Sequence, residues 1–201
     1  SNMNDAGLTI LPSHRLVKMD SEFDPGNMLK KAANWFDIKR FPYNQKNMKG
    51  EASELKRLLK ENGKVRTSIG FYHNQADNWH LLSLKPGMEK EMGEDLHPSL
   101  RELDVLVLSR LILQKCLGLT RKDLDNEEII HYESNISTTM KAVASGEYQM
   151  GFLLNHTRMD QVKEVARNSL VMPRKSTYFF PKVLTGMVFN KIDPHEIIQA
   201  P

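Results

Sequence analysis

The sequence predicts an α/β fold in which a mixed sheet carries a C-terminal βαβαβ unit and packs against a buried central helix. Between residues 99 and 117, apolar side chains occur on almost every side of a helical pattern, which is typical of a helix covered on more than one face. After residue 129, strand-like and helical segments alternate in the order of crossovers in a parallel sheet. We therefore expect one domain with a divided core, in which that helix is central.

The pattern of the N-terminal half predicts two strands separated by a proline, then two helices and a hairpin. Pro12 separates the first two strands, and Asp24 followed by Pro25 is a helix-start signal. The predicted segments are strands 7–11 and 14–17, a helix at 24–36, a polar loop at 43–49, a helix at 51–61, and strands 66–71 and 79–84. Residues 85–98 are rich in charge, Pro and Gly, so we expect a seam there within a single domain, 1–201.

The C-terminal half predicts the elements of the βαβαβ unit. Ser99 and Glu102 form a capping-box pattern that would start the central helix. Strands at 129–132, 150–154 and 183–189 and helices at 136–145 and 158–167 follow, with Thr157 as N-cap of the last helix. Ligands of parallel sheets collect at the carboxyl ends of strands, so Asn155, Thr157 and Arg158 are secondary binding candidates, the alternative being an ordinary connection.

Composition limits the functional classes. The chain has 201 residues, 40% of them hydrophobic and 26% charged, with a net charge of +3, which is too mild to indicate nucleic acid as a partner. One cysteine, Cys116, excludes an intrachain disulfide and a cysteine-based zinc site, and it favours a reduced, cytoplasmic setting. No stretch is apolar enough for a membrane span or a signal peptide.

The segment 172–182 is the main candidate functional surface. Pro173 and Pro181 bracket it and exclude a regular helix or central strand, so we expect an ordered irregular loop. Cations and hydroxyl groups lie between the prolines, and no acidic residue occurs between positions 165 and 192. An oxyanion site is the prediction, and a loop whose aromatic residues fill the core is the alternative. The predicted phosphate-binding residues are Arg174, Lys175, Ser176, Thr177 and Lys182.

Other polar residues give weaker signals. His14 and Arg15 could face a site, although a surface strand with polar side chains turned outward also explains them. His73, Asp77 and His80 suggest a metal only weakly, because turn chemistry explains this loop and the spacing is not that of a ligand pair. We predict no metal site. Known nucleotide-binding and nucleophile motifs are absent, so no catalytic residue is assigned.

Three stretches carry a resemblance to a known family. The runs Leu8–Val17, Phe152–Asn155 and Met172–Lys182, the last followed by Leu184-Thr185-Gly186, resemble the C-terminal part of the domain of unknown function 1015 family, and the resemblance spans essentially the whole chain. Family members usually carry an upstream Asp-Gly-His-His-Arg-Tyr-like segment, similar to the active-site motif of the ParB/sulfiredoxin-like fold that free serine kinases share. That segment does not occur here, which implies a fragment of a longer protein.

The resemblance implies relatives rather than a reaction, so two hypotheses stay open. In the first, the full-length protein is a nucleotide-dependent small-molecule kinase, with serine as one candidate substrate and ATP or ADP with Mg²⁺ as candidate cofactors. This chain would supply the phosphate-binding loop opposite the N-terminal region of its own full-length chain. In the second, it is a non-catalytic domain that binds a protein or nucleic acid through the same basic segment.

Overall fold

The structure, a computed structural model, describes residues 8–19, 24–44, 47–74 and 77–182. Within these ranges the fold is α/β, as predicted, with a central six-stranded sheet and a separate two-stranded sheet. The strands are β1 (Thr9–Leu11), β2 (His14–Val17), β3 (Phe36–Pro42), β4 (Ser68–His73), β5 (Asn78–Leu84), β6 (Ile130–Glu133), β7 (Met150–Leu153) and β8 (Tyr178–Phe180).

Helices cover both faces of the central sheet. They are α1 (Pro25–Ala32), α2 (Met48–Gly63), a 3₁₀ turn (Met88–Met92), α3 (Pro98–Arg101), α4 (Asp104–Val107), a π-helix (Leu108–Cys116), α5 (Arg121–Asp125), α6 (Ile136–Ala144) and α7 (Met159–Arg167). None of the helices in the described ranges is long and apolar enough to cross a bilayer. The Asp24 side chain accepts from the amide of Asn27 and caps α1, which confirms the predicted start of that helix.

The central sheet has the order β3-β5-β4-β7-β2-β6, and every pairing in it is antiparallel. The expected parallel neighbours are therefore wrong. Strands β6 and β7 do run in the same direction and are joined by α6, but β2 lies between them and pairs with both. The predicted strand at 183–189 lies outside the described residues, whereas the other four elements of the βαβαβ unit are present as β6, α6, β7 and α7.

Two apolar cores lie on opposite faces of this sheet. One contains α1, α4 and the π-helix, with Leu108, Leu111 and Ile112 packed on Phe71 and Phe152. The other contains α2 and α6, with Leu55, Leu59, Met140 and Val143 packed on the reverse face. Strands β4 and β7 are buried along their whole length because both of their faces are covered. The prediction that the 99–117 segment packs against the sheet is confirmed.

That segment is not one helix, however. Leu103 has extended backbone angles, with ψ at 118°, and separates α3 from α4, after which the chain continues as the π-helix. The predicted capping box is wrong, since the His97 imidazole accepts from the amide of Ser99 and Glu102 lies at the end of α3. π-Helical turns are rare and often occur at functional sites, so the residues around this segment are candidates for a functional site.

Two further expectations are corrected. The first helix ends at Ala32, and Phe36–Pro42 form the edge strand β3, where the sequence predicts a helix through Phe36 and no element for residues 37–42. The bracketed segment is irregular only as far as Thr177, because Tyr178–Phe180 form β8 and pair with Thr9–Leu11. A predicted loop thus contributes half of the second sheet.

Candidate functional site

Arg15 is the centre of the candidate site. It points from β2 into the interface between the sheet and the 172–177 loop, and only 6% of its surface is exposed. Its guanidinium donates to the carbonyl and hydroxyl oxygens of Ser13 and, at 3.2 Å, to the carbonyl of Lys175. The guanidinium carbon also lies 4.3 Å from the centre of the Tyr132 ring on β6, which is a cation–π contact.

The charge on Arg15 has no carboxylate partner within the part of the chain that the structure describes. Burial lowers the pKa of its guanidinium to about 10, so it remains charged at neutral pH. Burial, and then the charge of Arg15, lower the pKa of the adjacent His14 to about 3, so that imidazole is neutral. Both residues are buried, and neither forms part of an outward-facing polar strand.

A cavity of about 240 Å³ opens beside Arg15. The inner turns of the π-helix, including Leu108 and Leu113, form its apolar wall, and Ile130 and Tyr132 of β6 lie opposite. Its polar lining consists of four arginines, one carboxylate and two neutral polar residues, namely Arg15, Arg110, Arg121, Arg174, Asp125, Ser109 and Gln114. A pocket with an apolar wall and several convergent cations is suited to a ligand that carries a small anionic group.

The two cations of the loop face acidic residues that are distant in sequence. Arg174 lies 3.3 Å from carboxylate oxygens of both Asp125 and Glu127, and the Lys175 ammonium lies 3.6 Å from Glu127. The Lys175 ammonium is also 5.4 Å from the Tyr132 ring. The predicted absence of acidic neighbours therefore holds only along the sequence, because Asp125 and Glu127 lie beside the loop in the folded chain. These ion pairs are at least 45% exposed at each side chain, so solvent screens them.

The hydroxyl groups of the segment differ in their surroundings. Ser176 is buried, and its hydroxyl has no hydrogen-bond partner among the described residues. Thr157 Oγ1 donates to the Ser176 carbonyl at 2.8 Å, so Thr157 ties the loop to the chain before α7. The N-cap position of α7 is Arg158, which corrects the prediction of Thr157 as the cap. Thr177 is half-buried, and Lys182 is exposed.

Asn155 and Arg158, the other secondary candidates, lie at a different place. Together with Thr67 they surround Asp104 at the start of α4, beside a second cleft of about 440 Å³. Most of the predicted residues thus separate into two groups, one around Arg15 and one around Asp104, and Thr177 and Lys182 belong to neither. Sequence reasoning missed Asp104 and Tyr132. The signal for Asp104 was a single carboxylate within the apolar run 103–108.

Comparisons with known proteins place the chain in a family without identifying a reaction. A search of curated proteins finds no match. Among solved structures, the chain is similar to one described as a free serine kinase in complex with AMP. The TM-score is 0.46 at 12% identity, over 89% of this chain and 56% of that one, so this chain spans just over half the length of that kinase.

The family comparison covers the first half of the chain. The model of the family described as protein of unknown function (DUF1015) matches residues 1–106. This range contains the Leu8–Val17 run and ends before Phe152–Asn155 and Met172–Lys182, so the match does not extend over the whole resemblance that the sequence suggests. It covers more than half of the residues and agrees with the family that those runs resemble. The chain belongs to the DUF1015 family of proteins of unknown function.

Proposed function

We propose that this domain binds the phosphate group of a small-molecule ligand in the Arg15 cavity. The observation that carries the proposal is a guanidinium that is 6% exposed, lines a cavity, and has no carboxylate partner among the described residues. Burying an ionised group costs several kcal/mol unless it is paired and hydrogen-bonded. Backbone carbonyls and the Tyr132 ring offset part of this cost, and an anion in the cavity would offset the rest.

The loop cations support the same proposal. Exposed ion pairs contribute about 0 to 1 kcal/mol each, so Arg174 and Lys175 can exchange Asp125 and Glu127 for a phosphate at little cost. Charge-assisted hydrogen bonds to a dianion stabilise the bound state by about 1.5 to 3 kcal/mol each. The acidic residues thus act as competitors that keep the two cations in place when no ligand is bound.

The size of the cavity limits what it holds. Pockets for whole drug-sized ligands usually measure roughly 300 to 1,000 Å³, whereas this cavity measures about 240 Å³. We therefore assign it the phosphate end of a ligand. For the complete protein we propose a nucleotide-dependent small-molecule kinase, with the rest of the nucleotide bound by the N-terminal region of its own chain. Phosphoryl transfer depends mostly on positioning and charge stabilisation, which cations on an ordered loop supply.

The decisive experiment measures binding of inorganic phosphate by thermal shift at constant ionic strength. A ligand that binds only the folded state raises the melting temperature by mass action. Lys175→Ala should weaken binding by at least about tenfold, because it removes one charge-assisted hydrogen bond. Glu127→Gln should strengthen binding, because it removes the competitor of Lys175. Arg57→Ala on α2, where the arginine pairs with Glu54 and Glu61, is the matched control and should leave the phosphate-induced shift in melting temperature unchanged.

Lys175→Ala and Glu127→Gln should change phosphate affinity in opposite directions, which distinguishes a binding site from a structural contact. If Lys175 and Glu127 served only stability, both variants would lower the melting temperature and neither would change the phosphate response. A wild-type protein with no phosphate response overturns the proposal. We also expect no kinase turnover with ATP and serine by this chain alone, because the motif that resembles an active site is not in it. Turnover abolished by a substitution within this chain would refute that expectation.

A second candidate function rests on the β8 aromatic residues. Tyr178, Phe179 and Phe180 are 49%, 38% and 54% exposed, and they lie between the loop cations and Lys182. Aromatic rings interleaved with cations are how many proteins bind single-stranded nucleic acid, through base stacking and salt-sensitive charge contacts. Binding of a fluorescent single-stranded RNA that weakens steeply with salt and is lost in Phe180→Ser would favour this function over phosphate binding.

A further inference from the structure

A second cleft lies apart from the Arg15 cavity and has a different chemistry. It measures about 440 Å³, lies between the end of α2, the β5 end and the starts of α4 and α7, and shares no lining residue with the Arg15 cavity. Cations outnumber acids around it. They are Lys64, Arg66, Lys85, Arg101 and Arg158, against Glu89, Glu102 and Asp104.

Asp104 is the carboxylate of the cleft that has several donor groups near it. The side chains of Thr67 and Asn155 and the backbone amide of Asn155 lie near it as donor groups that favour its ionised form, as does the charge of Arg158. It retains a partly exposed edge in the cleft. A carboxylate offers about four acceptor sites, so three protein donors leave at least one free for a ligand. Burial raises the pKa of Asp104 to about 6, which leaves it mostly ionised at pH 7.5.

Gly63 and Asn155 keep this acceptor in position. Asn155 Nδ2 donates to the carbonyl of Leu59 at 3.1 Å, which orients the amide that also reaches Asp104. A Cβ at position 63 would lie 2.4 Å from that nitrogen, so a larger residue there would displace the Asn155 amide. Two separate chain segments, 59–67 and 155–158, thus surround one carboxylate, an arrangement that a solvated surface acid does not need.

Three of the cations around the cleft have no carboxylate partner among the described residues. Lys64, Lys85 and Arg101 form no ion pair there, and the last two donate only to the carbonyls of Ala33 and Leu96. Three such charges are suited to a phosphate dianion. These three charges also repel a cationic ligand. The ligand group that donates a hydrogen bond to Asp104 should therefore be a hydroxyl rather than an ammonium group. The cleft volume falls within the range of whole small-molecule sites.

We propose that this cleft binds a phosphorylated polyol of about the size of a pentose phosphate, with its phosphate on Lys64, Lys85 and Arg101 and a hydroxyl group donating to Asp104. The proposal does not rest on the function assigned to the Arg15 cavity. It adds a second ligand site, and it gives separate roles to the cations, which supply affinity, and to the carboxylate, which selects hydroxylated ligands.

The test uses three probes in a ¹H–¹⁵N NMR titration at pH 7.5. Ribose 5-phosphate carries both features, ethyl phosphate lacks the hydroxyl groups, and ribose lacks the phosphate. Ribose 5-phosphate should shift the amides of Gly63 and Thr67 and bind at least about tenfold more tightly than either other probe. Equal binding of ribose 5-phosphate and ethyl phosphate, or no shift at these amides with any probe, would overturn the proposal.

Two variants and two controls locate the effect. Asp104→Asn should weaken ribose 5-phosphate binding at least about fivefold and leave ethyl phosphate unchanged, because a carboxylate accepts a hydroxyl more strongly than an amide does. Lys64→Ala should weaken both phosphates alike. Lys60→Ala, an exposed lysine one turn earlier on α2, should weaken neither, and Lys175→Ala should leave the shifts at Gly63 intact. If Asp104→Asn binds all probes as the wild type does, the role of Asp104 is refuted.

Discussion

Replacing Asp104 by Asn should stabilise the protein at neutral pH. In the folded protein the pKa of Asp104 is raised from 3.8 to about 6, chiefly by burial. The folded state therefore binds the proton more tightly than the unfolded state, and wild-type stability falls as the pH rises between these two values. At about 1.36 kcal/mol per pKa unit, the ionised carboxylate costs about 3 kcal/mol above pH 7. Asparagine is neutral throughout and can still accept from Thr67.

Urea unfolding of the two proteins at a series of pH values measures this cost. The difference in unfolding free energy should grow by about 3 kcal/mol between pH 3.5 and pH 7.5, in favour of Asp104→Asn, and should stay constant above that range. His14, whose pKa is lowered to about 3, also makes stability fall on acidification, but it does so in both proteins and cancels in the difference. A difference that does not change with pH, or that favours the wild type at pH 7.5, refutes the reasoning.

Three further outcomes test the packing. Leu111→Ala, at a fully buried position of the π-helix, should lower the unfolding free energy by about 2 to 5 kcal/mol in urea titrations. Gly70→Ala should cost about 1 to 3 kcal/mol, because a Cβ there would lie 3.1 Å from Leu153 Cβ and 3.3 Å from Leu55 Cδ2. Arg57→Ala should lower the unfolding free energy only slightly, and less at high salt, since its ion pairs are exposed.

Much of the local structure could be predicted from the sequence. The β4–β5 hairpin, α2, α6 and β7 follow from apolar periodicity and turn residues, because those signals are local. Strand β3 could not be predicted, since Trp35 and Phe36 continue the helical spacing of α1 while Phe36 and Ile38 also fit an alternating strand. The break at Leu103 could not be predicted either. Asp104 is tied to Thr67 and Asn155, and no pattern within residues 99–117 indicates that.

The site could be predicted only in part, because its residues come from elements that are distant in sequence. Arg15 and the loop cations could be selected because their residue types suit an anion. Their neighbours Tyr132, Asp125 and Glu127 come from other elements and are brought close only by the pairing of β2 with β6. Sequence order also cannot indicate that β2 separates β6 from β7, because an antiparallel insertion leaves the βαβ pattern unchanged.

The position of β7 in the sheet has a consequence for the order of folding. This strand comes late in the chain and pairs with β2 and β4, which come early. A nascent chain that ends at residue 106, where the family match ends, would leave one edge of β4 open and β2 without either neighbour. Pairings between strands so distant in sequence form slowly, and open edges bind other chains. The segment 1–106 is therefore not expected to fold alone, and the interval before β7 emerges is when the chain is most prone to aggregate.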